Sequence, residues 1–150
     1  DALLNAMQEQ IDALKESASG KQARIKELDE LLHMADYYQQ GKPVADKLKT
    51  IRFEKSRQKY KAEHENVLRT FYMAERKLKN QWVDGKLPIH AWRKEKSKLE
   101  TEYQALQQKI TPLYADTKKL WAIHYSIYQV QHEQERQNAV TRQKNHEIEH

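Results

Sequence analysis

Residues 2–36 read ALLNAMQEQIDALKESASGKQARIKELDELLHMAD, and within them Leu4, Met7, Ile11, Leu14, Ala18, Lys21, Ile25, Leu28, Leu32 and Ala35 recur at alternating steps of three and four. Lys21 alone interrupts the apolar series. A 3.5-residue repeat keeps one stripe of a helix facing a partner helix, so this stretch predicts a long helix laid against another. Gly20 falls inside the repeat without shifting its phase, which favours one continuous helix over a hinge at Ser17–Gly20.

Composition extends that reading to the whole chain. Of 150 residues, 38% are hydrophobic and 33% charged, so the core is thin; with only three Gly and three Pro, the Lys, Glu, Gln, Leu and Ala content favours helix almost everywhere. The absence of cysteine excludes disulfides and thiolate metal sites and fits a reducing, cytoplasmic setting. No apolar run approaches the roughly 20 residues that span a bilayer, so no membrane role is expected. The chain opens at Asp1 with the repeat already running, which reads as part of a longer protein.

Outward from the opening stretch, Gly41 and Pro43 predict the end of a first helix over about 2–40. A second helix is expected over 44–82, carrying Val44, Leu48 and Ile51 and then, in shifted phase, Phe53, Tyr60, Val67, Phe71, Ala74 and Leu78. The run Val83-Asp84-Gly85-Lys86-Leu87-Pro88 signals a chain reversal. A third helix over about 88–130 repeats Trp92, Lys96, Leu99, Tyr103, Leu106, Ile110, Leu113, Thr117, Leu120, His124 and Ile127, with Pro112 as a kink or a break. Residues 131–150 are polar on every face and predict a helical or frayed tail. The expected fold is all-α: an elongated, antiparallel, three-helix coiled-coil-like bundle forming a single domain over 1–130. Tyr60, Phe71, Trp82, Trp92, Tyr103, Trp121 and Tyr125 are expected to supply its core.

Catalysis finds little support. His146-Glu147-Ile148-Glu149-His150 satisfies the His-Glu-x-x-His zinc pattern, but a catalytic zinc also needs a third ligand and a walled cavity, which a polar tail does not build. His64 reads as a partly buried, hydrogen-bonded histidine rather than a ligand. No phosphate-binding Gly loop and no Ser or Cys nucleophile motif is present, so no catalytic, cofactor or metal residue is assigned.

Charge is the informative signal. The net charge is +5, yet residues 1–40 are acidic, which leaves the remainder strongly basic. Its densest part is Lys47, Lys49, Arg52, Lys55, Arg57, Lys59 and Lys61, relieved only by Glu54, and such a field attracts DNA phosphates without reading sequence. These seven residues are the candidate nucleic-acid contacts. On one helix Lys47, Lys55 and Lys59 would share a face, whereas Lys49 and Arg52 would not. A solvated helix surface is the competing explanation.

The run Tyr60-Lys61-Ala62-Glu63-His64-Glu65-Asn66-Val67-Leu68-Arg69-Thr70-Phe71-Tyr72-Met73-Ala74-Glu75-Arg76-Lys77-Leu78-Lys79, then Leu87-Pro88-Ile89-His90-Ala91-Trp92-Arg93-Lys94-Glu95 and Leu99, together with Tyr37-Tyr38 and Lys42-Pro43-Val44, resembles the helical region following the nicking domain in relaxases of mobilisable and conjugative elements from Firmicutes. The likeness covers roughly residues 25–130. It implies part of a bacterial DNA-mobilization protein that nicks a transfer origin through a tyrosine and a metal held by a His-hydrophobe-His cluster. This chain lacks that cluster, so nicking is carried over to no residue here. The resemblance implies a non-enzymatic scaffold that touches DNA, or docks relaxosome or other protein partners along a helical seam. A structural or homo-oligomerising coiled-coil module without a nucleic-acid role is the alternative.

Overall fold

A computed structural model describes residues 2–149, the side chain of Glu149 excepted, and shows an all-α chain. Four helices follow one another: α1 (Ala2–Thr50), α2 (Glu54–Glu63), α3 (Glu65–Lys77) and α4 (Ile89–Glu149). They contribute to two compact units. The first takes the chain up to Ala18 together with the chain from Ala105 onward; the second is Ser19–Gln104.

The opening repeat is the buried face of α1. Leu4, Ile11, Ala18, Leu28 and Ala35 are at most 3% exposed, and Met7, Leu14, Lys21, Ile25 and Leu32 are half-buried. Contrary to the sequence expectation, α1 does not stop at residue 40 but runs through Gly41 and Pro43 for 49 residues. Two local facts explain this. Gly41 is not in the left-handed conformation of a helix cap; it lies on the buried stripe, which continues as Tyr38, Gly41, Ala45 and Leu48. Pro43 points outward, and its missing backbone bond would have used the carbonyl of exposed Gln39, which water can satisfy.

Consequently the single second helix expected over 44–82 is not formed. α1 ends where Thr50 Oγ1 donates to the Lys47 carbonyl at 2.7 Å and Ile51 N–H folds back to the Leu48 carbonyl at 3.3 Å. Phe53 is extended (φ −85°, ψ 128°) and 78% exposed, so the shifted apolar phase is a true break. α2 and α3 meet at His64, whose φ of −119° and ψ of 24° leave the helical region. In α3 the buried row is Leu68, Phe71 and Ala74, with Leu78 following; Val67 is 41% exposed.

The predicted reversal forms. Asp84 (φ 51°) and Gly85 (φ 76°) occupy left-handed backbone, and Val83 and Lys86 exchange backbone hydrogen bonds of 2.8 and 3.0 Å, as in a two-residue hairpin turn. α4 then continues through Pro112, which is exposed, as is Gln108, whose carbonyl loses its partner. Its expected seam is buried or half-buried from Trp92 to Leu120. Beyond that point every residue to Ile148 is exposed, including His124 and Ile127. The tail expected over 131–150 is helical as far as it is described.

Two clusters form the core of the second unit. Leu28, Ala35, Leu78 and Trp92 gather Leu31, Leu32, Met34, Leu87, Ile89 and Leu99. Ala45, Leu48, Leu68 and Phe71 gather Val44 and Tyr60, and Tyr38 touches both clusters. Fully burying side chains such as Leu28 or Leu78 stabilises by roughly 1.5–3 kcal/mol each. Of the aromatics expected in the core, Phe71 and Trp92 are buried, and Tyr60 and Tyr103 half-buried. Trp82 is 38% exposed, Trp121 49% and Tyr125 63%. The last two belong to the stretch of α4, residues 121–148, in which every residue is exposed.

The lysines that interrupt the seams make ion pairs between α1 and α4. Lys21 meets Glu102 at 2.7 Å, Lys96 meets Asp29, and Arg24 meets Glu95 through two hydrogen bonds of 2.9 and 3.1 Å. The Arg24 hydrogen bonds hold the Glu95 carboxyl below its ordinary range, and the Lys21 bond does the same for Glu102. Lys96 is raised by its bond to Asp29, and Arg24 by its bond to Glu95.

Two glycines give opposed predictions. A Cβ at Gly41 would lie 2.5 Å from the Phe71 Cβ, so Gly41→Ala is expected to destabilise by about 1–3 kcal/mol through overpacking. At exposed, helical Gly20 a Cβ meets nothing within 4 Å, so Gly20→Ala is expected to stabilise by roughly 0.5–1 kcal/mol. Urea unfolding of both variants reads the two signs.

The ion pairs predict the pH profile. The depressed carboxyls, Glu95 and Glu102, contribute stability that is full above their ordinary value of 4.5 and is lost as pH falls through their lower folded values. The raised Lys96 contributes fully below 10.5 and loses its share only above that. Thermal melting should therefore be flat across neutral pH and fall on the acid side. Glu95→Gln with Glu102→Gln should lower the neutral plateau and flatten the acid limb.

Candidate nucleic-acid interface

The seven basic candidates collect at one corner of the second unit, where α1 ends and α2 begins. Lys47 and Lys49 occupy the last turn of α1, Arg52 the connector, and Lys55, Arg57, Lys59 and Lys61 the ten-residue α2. Because the chain breaks at residues 51–53, these groups do not share the single helix face expected for Lys47, Lys55 and Lys59. On α2 they form two rows instead, Lys55 with Lys59 and Arg57 with Lys61, each pair one turn apart.

Tertiary packing brings Lys47 to the second helix. Its Nζ lies 5.5 Å from the centre of the Tyr60 ring, within cation–π range, while Tyr60 packs into the cluster around Leu48 and Phe71. That contact joins residues thirteen apart in sequence, and no local pattern announces it. Lys42, outside the candidate set, lies 5.9 Å over the Tyr38 ring and 3.6 Å from Asp46, so its charge is partly engaged.

Among the described residues, none of the seven forms an ion pair within 4.0 Å. Six are exposed. Arg57 is half-buried, and its Nε is enclosed without a hydrogen-bond partner. Part of the arrangement serves the fold, since Lys47 and Lys49 oppose the negative end of the α1 dipole and Glu54 sits in the first turn of α2. Arg52, Lys55, Lys59 and Lys61 face solvent and form no ion pair among the described residues, a surface suited to phosphate oxygens.

Of the other candidates, His64 stands at a helix junction. His64 is half-buried; its Nδ1–H donates to the Tyr60 carbonyl at 3.0 Å and its ring lies 4.2 Å from the Tyr60 ring, as a histidine at a helix junction does. The His146–His150 pattern ends at His150, which lies outside the described residues, as does the side chain of Glu149. Among the described residues no three His, Asp or Glu side chains gather as a metal site. A groove of about 400 Å³ in the second unit is lined by Arg24, Glu27, Glu30 and Lys77 with Leu31 and Met34. Its Arg24 is already held by Glu27 and Glu95. Among the described residues no helix is long and apolar enough to cross a membrane. Comparison with known proteins finds no family model, curated protein or solved structure that matches the chain.

Proposed function

We propose that this chain is a non-catalytic helical scaffold of a relaxase-like DNA-mobilization protein, with an auxiliary surface for the DNA backbone at the α1–α2 corner. The observation that carries the DNA reading is the contrast between two sets of cations. Lys21, Arg24 and Lys96 are each paired across helices with a carboxylate, whereas Lys47, Lys49, Arg52, Lys55, Arg57, Lys59 and Lys61 crowd one corner with none. Seven cations within residues 47–61 repel one another, and a polyanion relieves that repulsion by releasing its counterions. The resemblance of residues 25–130 to the region behind a nicking domain supports the same partner. In this reading the protein is cytoplasmic, and its helices hold the corner in place and position a neighbouring domain or a relaxosome partner.

Titration of a fluorescent duplex is expected to show binding at low salt whose logarithmic affinity falls linearly with the logarithm of salt. Replacing Lys49, Arg52, Lys55 and Lys59 by Gln should weaken binding alike for unrelated sequences and reduce the salt slope by about one for each phosphate that is no longer neutralised. Absence of binding at low salt would leave the structural-module alternative standing.

A further inference from the structure

We propose that the chain pairs with a second copy of itself through antiparallel packing of α4 over residues 118–135, a property independent of the DNA reading. Among the described residues every position of the stretch except Leu120 is exposed, and the stretch carries a self-complementary stripe. Trp121, Tyr125 and Tyr128 are 49, 63 and 56% exposed, although side chains of this size ordinarily bury about 150–250 Å². They lie on one line with Lys118, His132 and Glu135, since the six residues follow one another at steps of three, four, three, four and three. The Tyr128 and His132 rings already stack 6.0 Å apart with planes 7° from parallel, while the Trp121 ring meets His124, off the line, edge to face at 6.1 Å.

The order of residues along that line specifies the occupant. Laid antiparallel on a second copy, Lys118 meets Glu135, Trp121 meets His132 and Tyr125 meets Tyr128, and the two-fold axis repeats each match on the other side. Every layer is either aromatic on aromatic or a cation on an anion. A parallel pair would set Lys118 against Lys118 and Glu135 against Glu135, which like-charge repulsion disfavours. An isologous contact requires such a palindrome, with the same patch used by both copies.

The second apolar line on this part of α4 lacks the feature. Ile123, Ile127 and Val130 are also exposed, but that line continues Leu120 and buried Thr117 at one end and reaches Gln134 at the other. It has no opposed charges to set a register. The aromatic line is therefore the pairing surface.

Sedimentation of the full chain over a range of concentrations is expected to show a shift from one chain to two. Lys118→Glu and Glu135→Lys should each weaken pairing by about tenfold or more, because each brings like charges together, and the double variant should restore it. Since the chain has no cysteine, a Lys118→Cys chain mixed with a Glu135→Cys chain should cross-link under oxidation. Lys118→Cys alone should not, its two sulfurs lying about 26 Å apart along the paired helices. A chain monomeric at every concentration overturns the proposal and leaves the face to a partner of another kind. So does a double charge reversal that fails to restore pairing, self-linkage of Lys118→Cys, or loss of the dimer on Ile123→Gln with Ile127→Gln while Tyr125→Gln leaves it intact. The four-Gln variant of the basic corner should retain the dimer, so the DNA reading and this one fail separately.

Discussion

The approach of α1 to α3 at Gly41 is the contact on which the second unit depends. With no Cβ at that position, the Phe71 side chain lies where an alanine methyl would otherwise stand, and Ala45 in the same cluster adds little bulk. Phe71 can then reach Tyr38, with ring centres 5.0 Å apart, and join Leu48 and Leu68. The close approach rewards continuing α1 past a glycine and a proline that would end an isolated helix, because stopping would give up the buried row Tyr38, Gly41, Ala45 and Leu48. Tertiary burial outweighs local propensity here, as it commonly does in packed helices.

Electrostatics divides into two regimes within that unit. Where α1 faces α4, seam lysines reach carboxylates on the opposite helix, and the pairs discriminate between registers that a thin apolar stripe would tolerate about equally. At the end of α1 and along α2 the seven cations form no ion pair among the described residues, although Glu54 stands among them, and the break at residues 51–53 divides them between two helices. The break spoils a single basic stripe.

In the first unit, α4 extends beyond the reach of its seam. Burial ends at Thr117 and partial burial at Leu120, while large apolar side chains continue to Val130. A helix exposed on all sides normally carries charge and little else, so Trp121, Ile123, Tyr125, Ile127, Tyr128 and Val130 are out of keeping with solvent. Their arrangement, rather than their exposure alone, points to a second helix as the missing surface.

Helix and its buried face were legible wherever periodicity was long and uninterrupted: Leu4 to Ala35, Trp92 to Leu120 and the Asp84–Gly85 turn all follow from spacing and turn chemistry alone. Lys21 and Lys96 were visible as breaks in a pattern, though not as partners of Glu102 and Asp29, since an ion pair between helices leaves no trace in local sequence. The basic corner was legible as charge but not as shape. Gly41 and Pro43 read as the end of a helix, and Pro112 as a kink or a break. Only the packing decides, because a glycine's role depends on what stands opposite it and a proline's on whether water can reach the carbonyl it abandons. Which aromatics enter the core was likewise a tertiary matter: one helical spacing serves Trp92, buried with Leu28, Ala35 and Leu78, and Trp121, half exposed with its ring against His124 of its own helix.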